Sequence, residues 1–449
     1  MTIDKSGETG LADLAAAEAA RRIAACEVSS AELVEACLKR IKADESRVGA
    51  WAFLDPVKAI AQAENCDKRQ ADGLPLGPLH GVPVGIKDII DVDGMPTGNG
   101  SKIDEGKMPA SDATLVSRLR NVGAVILGKT VTTEFAYFHP GKTRNPHDPS
   151  RTPGGSSSGS AACVAANMTP LAIGSQTNGS MIRPASFCGV VGYKPSRGSI
   201  PLTGVLALSG ALDQIGIYGH TIEDVALVET VMGPEPGKLG VNPGPLMATA
   251  MSAPLVRPKL GFVRTPYWDH AEPETRSAFE KLVVALGADI EEAPLPEEFA
   301  STAGWLRTIM SAEMAHNMGH ILDTHPGEMS KVLSDYLIEG RQVAATEYLA
   351  ARTRQNQLRE ALAPTFGRFD ALLTPAAVGE AIPFDQGSTG DPIFCTIWTF
   401  CGLPSVSLPL LKGPNGLPVG VQLVGAPNND AQLLRTARWL TERLGVPLG

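Results

Sequence analysis

Between Leu11 and about Ala43, Ala, Leu and Ile recur every three to four positions against Arg, Glu and Lys, a pattern that predicts two amphipathic helices. Ser29-Ser30-Ala31-Glu32 has the form of a capping box and restarts the second of them. A third helix is expected over Pro56 to Asp72 and a shorter one over Asp112 to Asn121. Between them the texture changes to Gly, Pro and short β-branched runs, GPLHGVPVGIKDIIDVDG from Gly77 to Gly94, which predicts strand and turn. Ala124 to Leu127 reads as a buried strand and Asn145 to Gly159 as a Pro/Ser/Gly loop. Such alternation of helix and strand implies an α/β sheet protein.

Further along, Gly233 to Pro254 is the most loop-like stretch. Lys259 to Val263 predicts a strand, Glu272 to Leu286 a helix, Trp305 to Ala363 a mainly helical region, Gly416 to Gly425 a turn and strand, and Asp430 to Leu444 a closing helix. A chain of 449 residues with 43% hydrophobic and 19% charged positions can bury an enzyme-sized core. One large domain over 1–449 is the expectation: N-terminal helices 11–72, a core of about 77–232, a link 233–254, a helical region of about 270–363, and closing strands and helix 370–449.

The net charge of -9 leaves no basic excess for phosphate backbones or anionic lipids, which argues against nucleic acid and membrane as partners. Seven scattered cysteines without CxxC spacing fit free thiols in a reducing compartment. The opening MTIDKSGETG has no signal-peptide pattern, and no apolar run approaches the ~18 residues of a spanning helix. A cytoplasmic protein is expected.

The chemistry concentrates between Pro153 and Ser196, PGGSSSGSAACVAANMTPLAIGSQTNGSMIRPASFCGVVGYKPS. Gly and Ser at this density let backbone amides approach a ligand closely, as an anion-stabilising site needs. A flexible linker would not run straight into an Ala-rich helix and an apolar strand. The stretch resembles the signature of the amidase signature family, a GGSS(G/S)GS loop followed by a Gly-Ser element leading to R-P-A-x-x-C-G and K-P-(S/T). Resemblance continues in the opening helices, GPLHGVPVGIKDIIDV, GAVILGKT, EFA, LDQIG at Leu212 to Gly216 and the closing GLPVGVQLVG. It implies a central mixed, twisted β-sheet covered by helices on both faces, with 270–363 on the substrate side.

Carried over by position, the resemblance makes Ser180 the nucleophile, Ser156 the bridging serine after a cis peptide bond, and Lys87 the base. The two serines stand 24 positions apart, as in the family pattern. A serine hydroxyl needs a base, and a lysine buried among apolar residues loses stability in its charged form. The resemblance places the oxyanion hole on the backbone amides of Thr177, Asn178, Gly179 and Ser180. Position 178 is commonly Gly in the family; Asn tolerates φ > 0 and brings an extra side-chain amide. Arg183 stands in the register of a branch that holds a substrate carboxylate, and a structural ion pair under the loop is an equal alternative. No metal and no cofactor are implied.

The implied activity is hydrolysis of an amide, carbamate or ester of a small molecule through a serine acyl-enzyme, in a chain that could form a homodimer. The second alternative is the glutaminase subunit of a tRNA-dependent amidotransferase, against which Met181-Ile182-Arg183 departs from the Ile-Arg-Gln of such subunits. Gly123 to Thr130 matches the phosphate-loop pattern GxxxxGK(S/T), a distant nucleotide-binding alternative weakened by its apolar β-branched interior. Gly155 to Gly159 fits GxSxG, which would make Ser157 a nucleophile, but Pro-rich sequence stands where the elbow's strand should be. His316 and His320 share a helical face near His325 without a third metal ligand, so a surface role is expected. Thr374-Pro375 is expected near the substrate channel.

Overall fold

The helix-and-strand alternation closes into one mixed sheet in the computed structural model, which describes residues 10–233 and 246–446. Its strands are β1 (Trp51–Leu54), β2 (Pro83–Lys87), β3 (Val125–Thr130), β4 (Leu171–Gln176), β5 (Val191–Lys194), β6 (Gln214–Gly219), β7 (Leu260–Phe262), β8 (Ile290–Glu292), β9 (Ala371–Pro375), β10 (Ser405–Lys412) and β11 (Pro418–Val424). The order across the sheet is β1-β3-β2-β4-β6-β5-β10-β11-β9-β7-β8. β2 runs parallel to both β3 and β4, and β7 parallel to β8 and β9; the other pairs are antiparallel.

Strand side chains alternate between two apolar clusters, as a period of two requires. Ile126, Ile173 and Ile217 join one cluster with the helices Ile222–Met232, Thr302–Thr324 and Asp430–Arg443. Val125, Leu127, Ala172 and Tyr218 join the other with the helices Ser30–Val48, Pro56–Ala71 and Ser158–Ala165. The sheet is therefore covered on both faces within one domain.

The expected capping box is present: Ser29 Oγ accepts from Glu32 N and the Glu32 carboxylate accepts from Ser29 N, opening the helix Ser30–Val48. Three expectations are corrected. Residues 246–251, expected as loop, form a short helix, and the rest of that expected link, 234–245, lies outside the described residues. The expected loop 145–159 ends early, because Ser158 already starts a helix. The phosphate-loop match is a strand, its Gly128-Lys129-Thr130 lying in the ladder between β1 and β2. Lys129 is fully buried and reaches Asp88 Oδ1 (3.0 Å), Pro96 O (2.8 Å) and Thr97 Oγ1 (2.9 Å), so neither its amides nor its ammonium are free to cradle a phosphate.

Candidate active site

Three chain segments converge at one end of the central strands. Lys87 is the last residue of β2, registered against Thr130 at the end of β3. Ser156 sits in the turn between the Pro-rich loop and the helix Ser158–Ala165, and the Gly155–Ser156 peptide bond is cis. Ser180 lies between β4 and the helix Ile182–Cys188. Ser156, Thr177, Asn178, Gly179, Ser180 and Arg183 all line one small cavity, about 20 Å³ of free space, closed on its far wall by Tyr137, Phe138 and Met310.

Lys87 is fully buried, and Nζ donates to Ser156 Oγ (2.7 Å) and Ser175 Oγ (2.8 Å). Desolvation pulls its pKa down to about 7, opposed in part by the negative charge of Asp213. An amine near neutrality can donate one N–H to Ser175 and take the Ser156 proton on its lone pair. Lys194 is also buried and also pulled down to about 7, yet it is held by Gln214 Oε1 (2.7 Å) and the carbonyl of Leu403 and does not line the cavity. Burial alone therefore does not single out a base; contact with a cavity serine does.

The loop 177–180 is fixed from several sides. Gln176 Oε1 accepts from Met181 N (2.8 Å) and Ile182 N (3.1 Å), and Gln176 Nε2 donates to Thr399 Oγ1, whose hydroxyl donates to Asn178 O. Tyr218 OH donates to the carbonyls of Ser180 (3.1 Å) and Met181 (3.0 Å). These bonds occupy carbonyl oxygens, which leaves the N–H side of the loop for a ligand. Gly179 permits the closeness: a Cβ there would stand 2.7 Å from Pro392 Cβ. Asn178 keeps negative φ, so the expected left-handed conformation is not what the residue serves. Its Oδ1 accepts from Thr396 Oγ1 (3.0 Å), which turns its NH₂ group the other way.

Arg183 is neither ion-paired nor exposed. Its Nε donates to Thr389 O (2.8 Å), and Nη2 donates to Gly155 O (2.6 Å) and Thr389 Oγ1 (3.1 Å), tying the Ser156 turn to the 389–392 segment. The expected ion pair under the loop is replaced by carbonyl contacts. Nη1 makes no hydrogen bond to another described residue, and the side chain borders the cavity.

The GxSxG alternative fails on geometry. Ser157 is fully buried, donates to Ser175 O (3.0 Å) and accepts from Ser175 N (3.2 Å), so it braces β4 rather than facing the cavity. Thr374 is buried inside β9 and does not border the cavity, a correction to its expected place by the channel. His316 and His320 lie on the exposed side of their helix, and no cluster of potential metal ligands occurs among the described residues.

Sequence reasoning missed Ser175, Asp213 and the 134–138 turn. Thr177 Oγ1 donates to Asp213 Oδ1 (2.6 Å), and the buried Asp213 carboxyl, raised to about 6 by desolvation, also accepts from Leu208 N and Ser209 N. Asp213 lay in the quoted LDQIG stretch, a signal read as resemblance without a role. Phe135 and Ala136 adopt φ of 44° and 55°, unusual for residues with a Cβ, and turn Tyr137 and Phe138 into the cavity wall. No residue type in that turn announces it.

Comparison with known proteins agrees with this geometry. The sequence model described as Amidase matches residues 32–434. The chain is 36% identical over 481 residues to a glutamyl-tRNA(Gln) amidotransferase subunit of Symbiobacterium thermophilum, covering 96% of each. Among solved structures it is similar to a protein of a vestigial complex that reveals the origins of an s-triazine catabolic enzyme (TM-score 0.88, 30% identity, 96% and 98% covered). It is also similar to the peptide amidase of Stenotrophomonas maltophilia (TM-score 0.84, 30% identity, 96% and 97% covered). The chain belongs to the amidase signature family.

Proposed function

We propose that this protein hydrolyses a small amide through an acyl-enzyme on Ser180, with Ser156 as proton relay and Lys87 as base. The observation that carries this is the buried Lys87 amine, poised near neutrality, in contact with Ser156 Oγ at 2.7 Å beside a cavity that Ser180 also lines. Ser180 Oγ attacks the carbonyl carbon while its proton passes to Ser156, whose own proton passes to Lys87. The amides of Thr177 to Ser180 hold the developing oxyanion. On collapse the C–N bond breaks and the leaving nitrogen takes a proton back through Ser156. Water then attacks the Ser180 ester by the same relay, releasing acid and restoring the hydroxyl.

Substrate preference follows from the cavity. Its small size and the apolar wall of Tyr137, Phe138 and Met310 favour a short acyl group, and the free Arg183 Nη1 with the Asn178 NH₂ favours one that ends in an oxygen acceptor. Half-amides of short diacids meet both conditions; carbamates and esters share the acyl chemistry. Buried free thiols at Cys37, Cys66, Cys163, Cys188, Cys395 and Cys401 suit the cytoplasm. The reading as a glutaminase partner in an amidotransferase stays open because several relatives bear that name. Steady-state assays on half-amides, neutral aliphatic amides and glutamine decide between them. Turnover of half-amides by the chain alone supports the proposal, and glutamine turnover that requires added partner subunits supports the alternative.

A further inference from the structure

The helix Thr302–Thr324 carries Met310 in the cavity wall and, one turn further on, Glu313, which does not line the cavity. Glu313 is nonetheless densely bonded. Its Oε2 accepts from Ser209 Oγ and from Ala211 N (3.0 Å), and its Oε1 accepts from Tyr348 OH (2.6 Å), with Arg352 Nη1 at 3.5 Å. Asn317, on the same helix, donates Nδ2 to Leu208 O (3.0 Å), and Gln355 donates Nε2 to Ala211 O (3.3 Å). The segment 208–211 is thus pinned to two helices that pack on each other. That same segment supplies the Leu208 and Ser209 amides that hold the Asp213 carboxyl, each at 2.9 Å, and Asp213 holds the Thr177 hydroxyl.

We infer that Glu313 is a positioning residue for the oxyanion loop, acting through the 208–213 segment, Asp213 and Thr177. This rests on the proposed role of that loop. Hydrogen bonds of 2.6 to 3.0 Å link each step, so release of Glu313 frees the segment, and Asp213 with it, to drift. Oxyanion stabilisation depends on donor placement to a fraction of an ångström, whereas binding of the acyl group depends on the wall and Arg183. The helix that borders the acyl group through Met310 therefore also sets the geometry of the oxyanion loop, which lets substrate shape reach the rate of the chemical step.

The test uses the full chain and a turned-over amide. Glu313→Ala should lower kcat about tenfold to a hundredfold with KM changed less than about threefold. Glu313→Gln keeps an acceptor for Ala211 N and should recover most of kcat, and Tyr348→Phe, which removes only the hydroxyl that holds Oε1, should fall between. To keep the test independent of whether Glu313→Ala folds, the deciding measurement is a double-mutant cycle of Tyr348→Phe with Thr177→Val, in which the combined loss in kcat should be smaller than the product of the two single losses. Multiplicative losses, or a change confined to KM, overturn the inference. Failure of the wild-type chain to acylate at Ser180 would instead overturn the proposed function.

Discussion

Lys87→Met separates catalysis from stability. In the folded protein the ammonium is pulled from 10.5 to about 7, so while the group is charged in both states its burial opposes folding by ~5 kcal/mol. The folded value is below the unfolded one. The penalty is therefore complete below pH 7, shrinks as pH rises from 7 to 10.5, and vanishes above; at pH 9 about 2 kcal/mol remains. Methionine keeps an unbranched apolar chain and removes the charge, at the loss of two hydrogen bonds, to Ser156 and Ser175, of ~1 kcal/mol each. The net gain is ~3 kcal/mol at pH 6.5 and near zero at pH 9. For a chain of 449 residues the unfolding entropy makes each kcal/mol about 1 °C. Calorimetry of both proteins at the two pH values should show the variant melting ~3 °C higher at pH 6.5 and about equal at pH 9, with turnover abolished at both. Lys194, also depressed, is present in both proteins and cancels. An equal difference in melting temperature at both pH values would refute the depressed lysine.

Three further outcomes follow from the geometry. kcat/KM should rise with pH through about 7 as Lys87 becomes neutral, and a profile flat from pH 5.5 to 8.5 would exclude Lys87 as the base. Ser157→Ala, which loses both bonds to the Ser175 backbone, should destabilise by ~1–3 kcal/mol in thermal melts and still turn over substrate, whereas complete inactivity in a folded variant would revive Ser157 as nucleophile. Lys129→Ala leaves the buried Asp88 unpaired and should cost about 3–5 kcal/mol, while ATP leaves the wild-type melting temperature unchanged; an ATP-dependent rise would restore the nucleotide alternative.

Local sequence carried the elements whose patterns are self-sufficient. The helix Pro56–Ala71 and the helix Pro273–Leu286 follow from periodicity with Pro near the start, and Ser29 with Glu32 marked a helix start that the structure contains. β3 was legible as an apolar run but extends to Thr130, because pairing with β1 and β2 carries polar residues into the ladder that no pattern of their own would place there. Lys87, Ser156 and Ser180 could be nominated through resemblance, and the structure brings them to one cavity edge. Ser175, Asp213 and Glu313 could not be nominated. Their importance lies in contacts between segments up to 104 positions apart, such as Ser209 with Glu313, and a lone Ser, Asp or Glu carries no sign of such a partner. Arg183 was visible, but its division between two loop carbonyls and a free Nη1 depends on how the 389–392 segment folds back over it.

The central claim is that Ser180 is the nucleophile, and covalent labelling tests it most directly. Wild type and Ser180→Ala would be incubated with a fluorophosphonate probe, digested, and the modified peptide located by mass spectrometry. Labelling of wild type confined to Ser180 and absent from the variant is the predicted result. A label on Ser157 or Ser156 in wild type, or undiminished labelling of Ser180→Ala, would contradict it.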